Sequence, residues 1–138
     1  MPKNDDHILA DELTRLGGSV LTYCVAKFLP TNIYEISFEV AIQPTSAISV
    51  ATNILSAEGK LLSTEEISNI FEVKGLVGAG VLNMNPALVS ISIAPLPFLR
   101  THIRIQGKAK EGLIKQYAGK KAALKVAHLL LDKLREMN

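Results

Sequence analysis

Residues 88–107 read LVSISIAPLPFLRTHIRIQG, two alternating stretches joined by a proline-rich corner. In the first, Val89, Ile91 and Ile93 alternate with Ser90 and Ser92; in the second, Thr101, Ile103 and Ile105 alternate with Arg100, His102, Arg104 and Gln106. Successive side chains of a strand point to opposite faces, so a period of two separates an aliphatic face from a polar one. An antiparallel sheet covered on one side requires that division. Pro95-Leu96-Pro97 supplies the corner, because proline cannot donate to a ladder and is confined to strand edges and ends.

The same pattern recurs upstream. Over 33–42, Tyr34, Ile36, Phe38, Val40 and Ile42 take one face, and Glu35, Ser37 and Glu39 the other. A strand over 19–28 precedes it, joined through Leu29-Pro30-Thr31-Asn32, where Pro30 fixes φ for a turn. A glycine-rich strand over 73–82 precedes the Asn83-Met84-Asn85-Pro86 turn. The polar-face residues of these strands define the solvent side. The shared core is then Ile36, Phe38, Val40, Val89, Ile91, Ile93, Ile103 and Ile105.

Helices fill the intervals. Asn4 or Asp5 caps a first helix with Ile8, Leu9, Leu13 and Leu16 on one face, ended by Gly17-Gly18. Pro44-Thr45-Ser46 opens a second, in which Ala47, Ile48, Ala51, Ile54 and Leu55 recur at helical spacing and Gly59 is the stop. Ser63-x-x-Glu66 reads as a capping box for a short helix carrying Ile67, Ile70 and Phe71. A long helix over 111–136 closes the chain. Gly112 and Gly119 inside it point to tight packing or a bend, since each costs about 1 kcal/mol against alanine. From Ala122 its apolar residues spread over roughly 200° of the circumference, more than one-sided packing needs.

The order is α-β-β-α-α-β-β-β-α, an α+β fold with about five antiparallel strands packed on a long C-terminal helix. In architecture it resembles helix-grip folds, which often enclose apolar ligands. Burial of some ten aliphatic side chains at roughly 1.5–3 kcal/mol each is ample to drive it. The 138 residues form one domain, 1–138, with 48% apolar and 20% charged residues and no tryptophan. A chain of that length buries about two-thirds of its unfolded surface and needs neither disulfide nor metal. The net charge of +2 points to no nucleic-acid or membrane partner. With one cysteine and no apolar run near its first residues, the chain reads as cytoplasmic.

Several residues invite a chemical reading. Gly75, Gly78 and Gly80 are spaced G-x-x-G-x-G, the reverse of a dinucleotide loop, with neither a helix nor Lys-Ser/Thr behind them. They read as strand glycines. Cys24 reads as a core residue rather than a nucleophile, because no electropositive setting is specified for it. His7, His102 and His128 form no ligand spacing, and His128 with Asp132 reads as an exposed i,i+4 pair. Glu65 and Glu66 are accounted for by a helix's first turn. No cofactor, metal site or catalytic set is indicated, and the reading leans away from an enzyme.

Two surfaces remain. The leading expectation is a non-enzymatic binding protein that holds a small apolar or amphipathic ligand between the sheet and the C-terminal helix. Val77, Ile91, Ile103, Leu113, Tyr117 and Leu124 would line that cavity. One alternative is a homo-oligomeric interaction module using the C-terminal helix or the polar sheet face. The other is an anion or nucleic-acid site on the basic strand face of Arg100, His102, Arg104 and Lys108. No aromatic residue interleaves with that stripe to stack on bases, and Glu35 and Glu39 stand ready to neutralise it.

Overall fold

The computed structural model describes residues 5, 8, 31–79, 85–110 and 117–137. They build a five-stranded antiparallel sheet with two helices on one face. The elements are β1 (Thr31–Val40), α1 (Pro44–Glu58), β2 (Gly59–Ile67), β3 (Ile70–Ala79), β4 (Asn85–Leu96), β5 (Arg100–Lys110) and α2 (Ala118–Glu136). In space the strands run β1-β5-β4-β3-β2. The arrangement is a helix-grip-like α+β architecture, in which a long C-terminal helix lies across β1, β5, β4 and β3.

The register is the one the alternation requires. Ile36 pairs with Ile105, Phe38 with Ile103, Ile91 with Ile105 and Ile93 with Ile103. These residues share one core with Val40, Val89, Val73 and Val77, capped by Leu55 of α1 and by Val126 and Leu130 of α2. A slip of one residue would turn every isoleucine to solvent. Thr101 belongs to the same face; its buried hydroxyl donates to the carbonyl of Ile42 at 2.6 Å.

The helix expected from Ser63-x-x-Glu66 is replaced by a hairpin. Glu65 pairs with Glu72, Glu66 with Phe71 and Ile67 with Ile70. Ser68 and Asn69 make the two-residue connection with φ of 52° and 68°. Two consecutive positive φ values define a hairpin turn whose twist matches the strands, and asparagine tolerates that region. The capping-box pattern is a local preference, and pairing along β3 overrides it. The sheet still has five described strands, with β2 as one of them. The strand expected over 19–28 lies outside the described residues, as do Cys24, His7 and the first helix apart from Asp5 and Ile8, which are helical.

The other boundaries shift by a few residues. Gly59 ends α1 as expected, its N–H donating to the Leu55 carbonyl. β4 continues to Leu96, and Pro95 fits there because it pairs with Thr101 of β5 beyond the end of β3. β5 begins at Arg100, and Phe98 and Leu99 form the turn before it with φ of 65° and 57°. α2 runs from Ala118, with Tyr117 at its N-cap in a left-handed φ of 53°, and residues 111–116 of the expected helix lie outside the described residues. Its wide apolar arc is covered by the sheet on one side and by α1 on the other.

Candidate functional site

The two faces of the sheet offer different surfaces. On the helix-covered face, small residues let α2 lie directly on the strands: Ala118, Gly119, Ala122, Ala123 and Ala127 are all buried. Gly107 of β5 sits beneath Gly119 so closely that a Cβ there would stand 2.1 Å from the Gly119 carbonyl oxygen. That contact accounts for the glycine at 107, on the strand beneath the first turn of α2. Beside it, the Lys120 ammonium lies 5.6 Å from the Tyr34 ring centroid, within cation–π range.

Of the residues expected to line a sheet–helix cavity, Val77, Ile91 and Ile103 are fully buried in the core. Leu124 is half-buried, Tyr117 is exposed at the helix N-cap, and Leu113 lies outside the described residues. Another concavity lies further out, between the two helices. Val50, Asn53, Ile54, Ala57 and Glu58 of α1 face Leu129, Asp132, Lys133 and Glu136 of α2 across an open groove of about 560 Å³. Its floor is aliphatic and its rim is charged. Lys125 bonds Glu58 at 2.9 Å near one end, and Lys133 reaches Glu136 at 3.7 Å. The groove comes from the spacing of Val50, Ile54 and Ala57 on one helix and Leu129 on the other. Sequence periodicity shows each stripe, but not that two helices would lie side by side.

The polar face is ordered in rows by strand pairing. Glu35, Gln106, Ser90, Lys74 and Ser63 form one row, and Ser37, Arg104, Ser92, Glu72 and Glu65 the next. The basic stripe is neutralised along its length. Arg104 Nε lies 3.1 Å from Glu35, and Arg100 pairs with Glu39. His102 is half-buried opposite Glu39 in register. Lys108 turns instead to Asp5, its ammonium 2.5 Å from one carboxylate oxygen, while Lys74 donates to the other at 3.3 Å.

Sequence reading placed Lys108 on this face but missed Lys74. The signal was present: Lys74 alternates with Val73 and Gly75, which puts it beside Glu72 and Leu76 on the polar side. Its juxtaposition with Lys108 needs β4 between β3 and β5, which periodicity does not supply. Burial raises the Asp5 carboxyl, but the Lys108 hydrogen bond and the charges of Lys74 and Lys108 outweigh it and hold the group below its ordinary value. Burial likewise pulls Lys74 down, and the charges and hydrogen bonds of Asp5 and Glu72 together more than reverse it. Beside this triad, Ile8 and Leu62 pack on Leu76 and Leu88.

Among the described residues, no group of three His, Cys, Asp or Glu side chains is placed to hold a metal ion. His128 and Asp132 are both exposed on α2. Among the same residues, no helix is long and apolar enough to cross a membrane.

No protein-family model and no curated protein matches this sequence. Among solved structures, a hypothetical protein of Helicobacter pylori is similar with a TM-score of 0.47 at 11% identity, over 75% of this chain and 85% of that one. Ara h 8.0201 is similar with a TM-score of 0.42 at 5% identity, over 78% of this chain and 99% of that one. A Rhizobium loti protein, Mll3558, has a TM-score of 0.40 at 8% identity, over 74% and 96% of the two chains. At that level the likenesses bear on neither family nor function.

Proposed function

We propose that this chain is a non-enzymatic binding protein whose ligand is small and amphipathic, held against the C-terminal helix in the groove between α1 and α2. The observation that carries the reading is the groove itself. At about 560 Å³ it falls within the size range of small-molecule sites, with an aliphatic floor and a few polar groups at its edge. Val50, Ile54, Ala57 and Leu129 would take the apolar body of the ligand. Asn53, Asp132 and Lys133 at the rim would meet its polar end. This places the ligand on the outer side of the helix layer, whereas the sequence pointed beneath it.

The test combines native mass spectrometry of freshly purified protein with titration of Nile red, an uncharged probe unaffected by the mixed charges of the rim. A co-purified small molecule, or saturable Nile red binding abolished by Leu129→Asp, supports the reading. Leu129 is only half-buried, so the substitution leaves the core intact. Nile red binding unchanged by Leu129→Asp overturns it. A dimer that Leu129→Asp splits would also overturn it, in favour of self-association through the helices.

A further inference from the structure

We propose that Lys74 and Lys108 form a binding site for an aliphatic carboxylate on the polar face of the sheet, and that Asp5 and Ile8 of the same chain occupy it in this structure. Two ammonium groups from strands that do not touch each other converge on the two oxygens of one carboxylate. Lys74 stands on β3 opposite Ser90, and Lys108 stands on β5 opposite Leu88, so the pair spans β4 diagonally. Both are largely sheltered, with side chains 29% and 23% exposed, unlike Arg100 and Arg104, at 47% and 55%. A charge-assisted bond in such a setting is stronger than one in open solvent. Among the described residues the competing anion is Glu72, 3.5 Å from Lys74.

The second half of the site is apolar. Leu76 and Leu88 are buried on the same face as the two lysines, and Ile8 and Leu62 pack against them. A helical turn places residues three apart on one side, so Asp5 and Ile8 present a carboxylate and a branched aliphatic group together. Those are the two ends of a short amphiphile. Residues 5 and 8 are therefore a ligand in cis, and an outside molecule of the same chemistry competes with them. Charge complementarity selects an anion, and the leucine pair selects one with a hydrocarbon tail. The site is independent of the helix groove, which lies on the other side of the sheet.

The experiment titrates octanoate, acetate and inorganic phosphate into the full-length chain, followed by amide chemical shifts along β3, β4 and β5. The variants are Asp5→Ala/Ile8→Ala, the milder Asp5→Asn, and each combined with Lys74→Ala/Lys108→Ala. Emptying the site in cis removes the competitor, so octanoate affinity should rise about tenfold over wild type. The gain should vanish when the two lysines are replaced, and acetate and phosphate should bind more weakly than octanoate. Asp5→Asn keeps Ile8 and side-chain size, and decides the matter if the double variant is not folded. Equal octanoate affinity in wild type and variants overturns the proposal, as does a gain that survives loss of the lysines. Octanoate that displaces Nile red without any dependence on Lys74 and Lys108 belongs to the helix groove and overturns it too. Phosphate binding as tight as octanoate would remove the tail subsite and with it the proposal.

Discussion

Gly107 of β5 lies directly under Gly119 of α2: a Cβ on Gly107 would stand 2.1 Å from the Gly119 carbonyl oxygen and 3.1 Å from the Ala123 Cβ. Gly107 thus sets how closely the start of the C-terminal helix lies on the sheet. Gly107 pairs with Tyr34 on one side and Val89 on the other, so its own backbone is fixed in the ladder. The added Cβ would meet the helix backbone, which cannot yield cheaply.

Gly107→Ala should therefore destabilise the protein by about 2–3 kcal/mol, the upper part of the range for overpacked cores. At Gly75 the nearest atoms are the Lys60 carbonyl oxygen at 3.1 Å and the Leu55 Cβ at 3.2 Å. A few tenths of an ångström of movement suffices there, so Gly75→Ala should cost clearly less. Urea denaturation of the two variants measures the difference, and equal midpoints would show that the helix can lift from the sheet without penalty.

The buried hydroxyl of Thr101 offers a second test. It donates to the Ile42 carbonyl at 2.6 Å, at the point where the chain leaves β1 for α1. Thr101→Val keeps the shape but leaves that carbonyl without its donor, a loss of about 1–2 kcal/mol. Thr101→Ser keeps the bond and should retain more of the stability than valine does. Thermal unfolding of the pair distinguishes the hydrogen bond from the methyl group, and a valine variant as stable as wild type would show the bond to be without weight.

The core was legible in the sequence because a period of two is unambiguous where one face is buried. Ile36, Phe38, Ile91, Ile103 and their neighbours needed no knowledge of strand order to be assigned to one side. The β2–β3 hairpin was not legible, because Ser63-x-x-Glu66 satisfies a helix cap as readily as a strand. β2 is mostly exposed, so it carries no strong apolar alternation to contradict the helix. The neutralisation of Arg100 and Arg104 could be anticipated once β1 and β5 were neighbours. The Lys74, Lys108 and Asp5 triad could not, since it joins residues 69 and 103 positions away from Asp5.

The two arginine pairs repeat one geometry. Arg104 stands opposite Ser37 and reaches back to Glu35, and Arg100 reaches Glu39 in the same diagonal way. All four side chains are about half exposed, so each pair should contribute no more than about 1 kcal/mol. Arg100→Ala/Arg104→Ala should then shift the urea midpoint little. Neither wild type nor the variant should bind single-stranded or duplex oligonucleotides at low salt. Micromolar binding that weakens steeply with salt and disappears in the variant would establish a nucleic-acid surface, because each neutralised phosphate releases counterions.

The Asp5 triad carries a pH signature of defined sign. The Asp5 carboxyl is held below its ordinary 3.8 by Lys108 and Lys74, despite a burial effect in the opposite direction. A depressed carboxyl contributes stability that is present above 3.8 and lost as pH falls through its lower folded value. The Lys74 ammonium is sheltered, which works against its charge, yet Asp5 and Glu72 hold it above 10.5. A raised lysine contributes stability that is present below 10.5 and lost as pH climbs through its higher folded value. The difference in unfolding free energy between wild type and Asp5→Asn should thus be flat between about pH 5 and pH 9. It should shrink on the acid side as Asp5 takes a proton, and on the alkaline side as Lys74 gives one up. Partial exposure and salt keep the plateau near 1 kcal/mol, and it should fall further as ionic strength rises. Urea unfolding from pH 2 to pH 11 at two salt concentrations makes the measurement. A difference that persists unchanged at pH 2 would mean that Asp5 acts through its shape or backbone, and the two lysines would then hold no charge worth competing for.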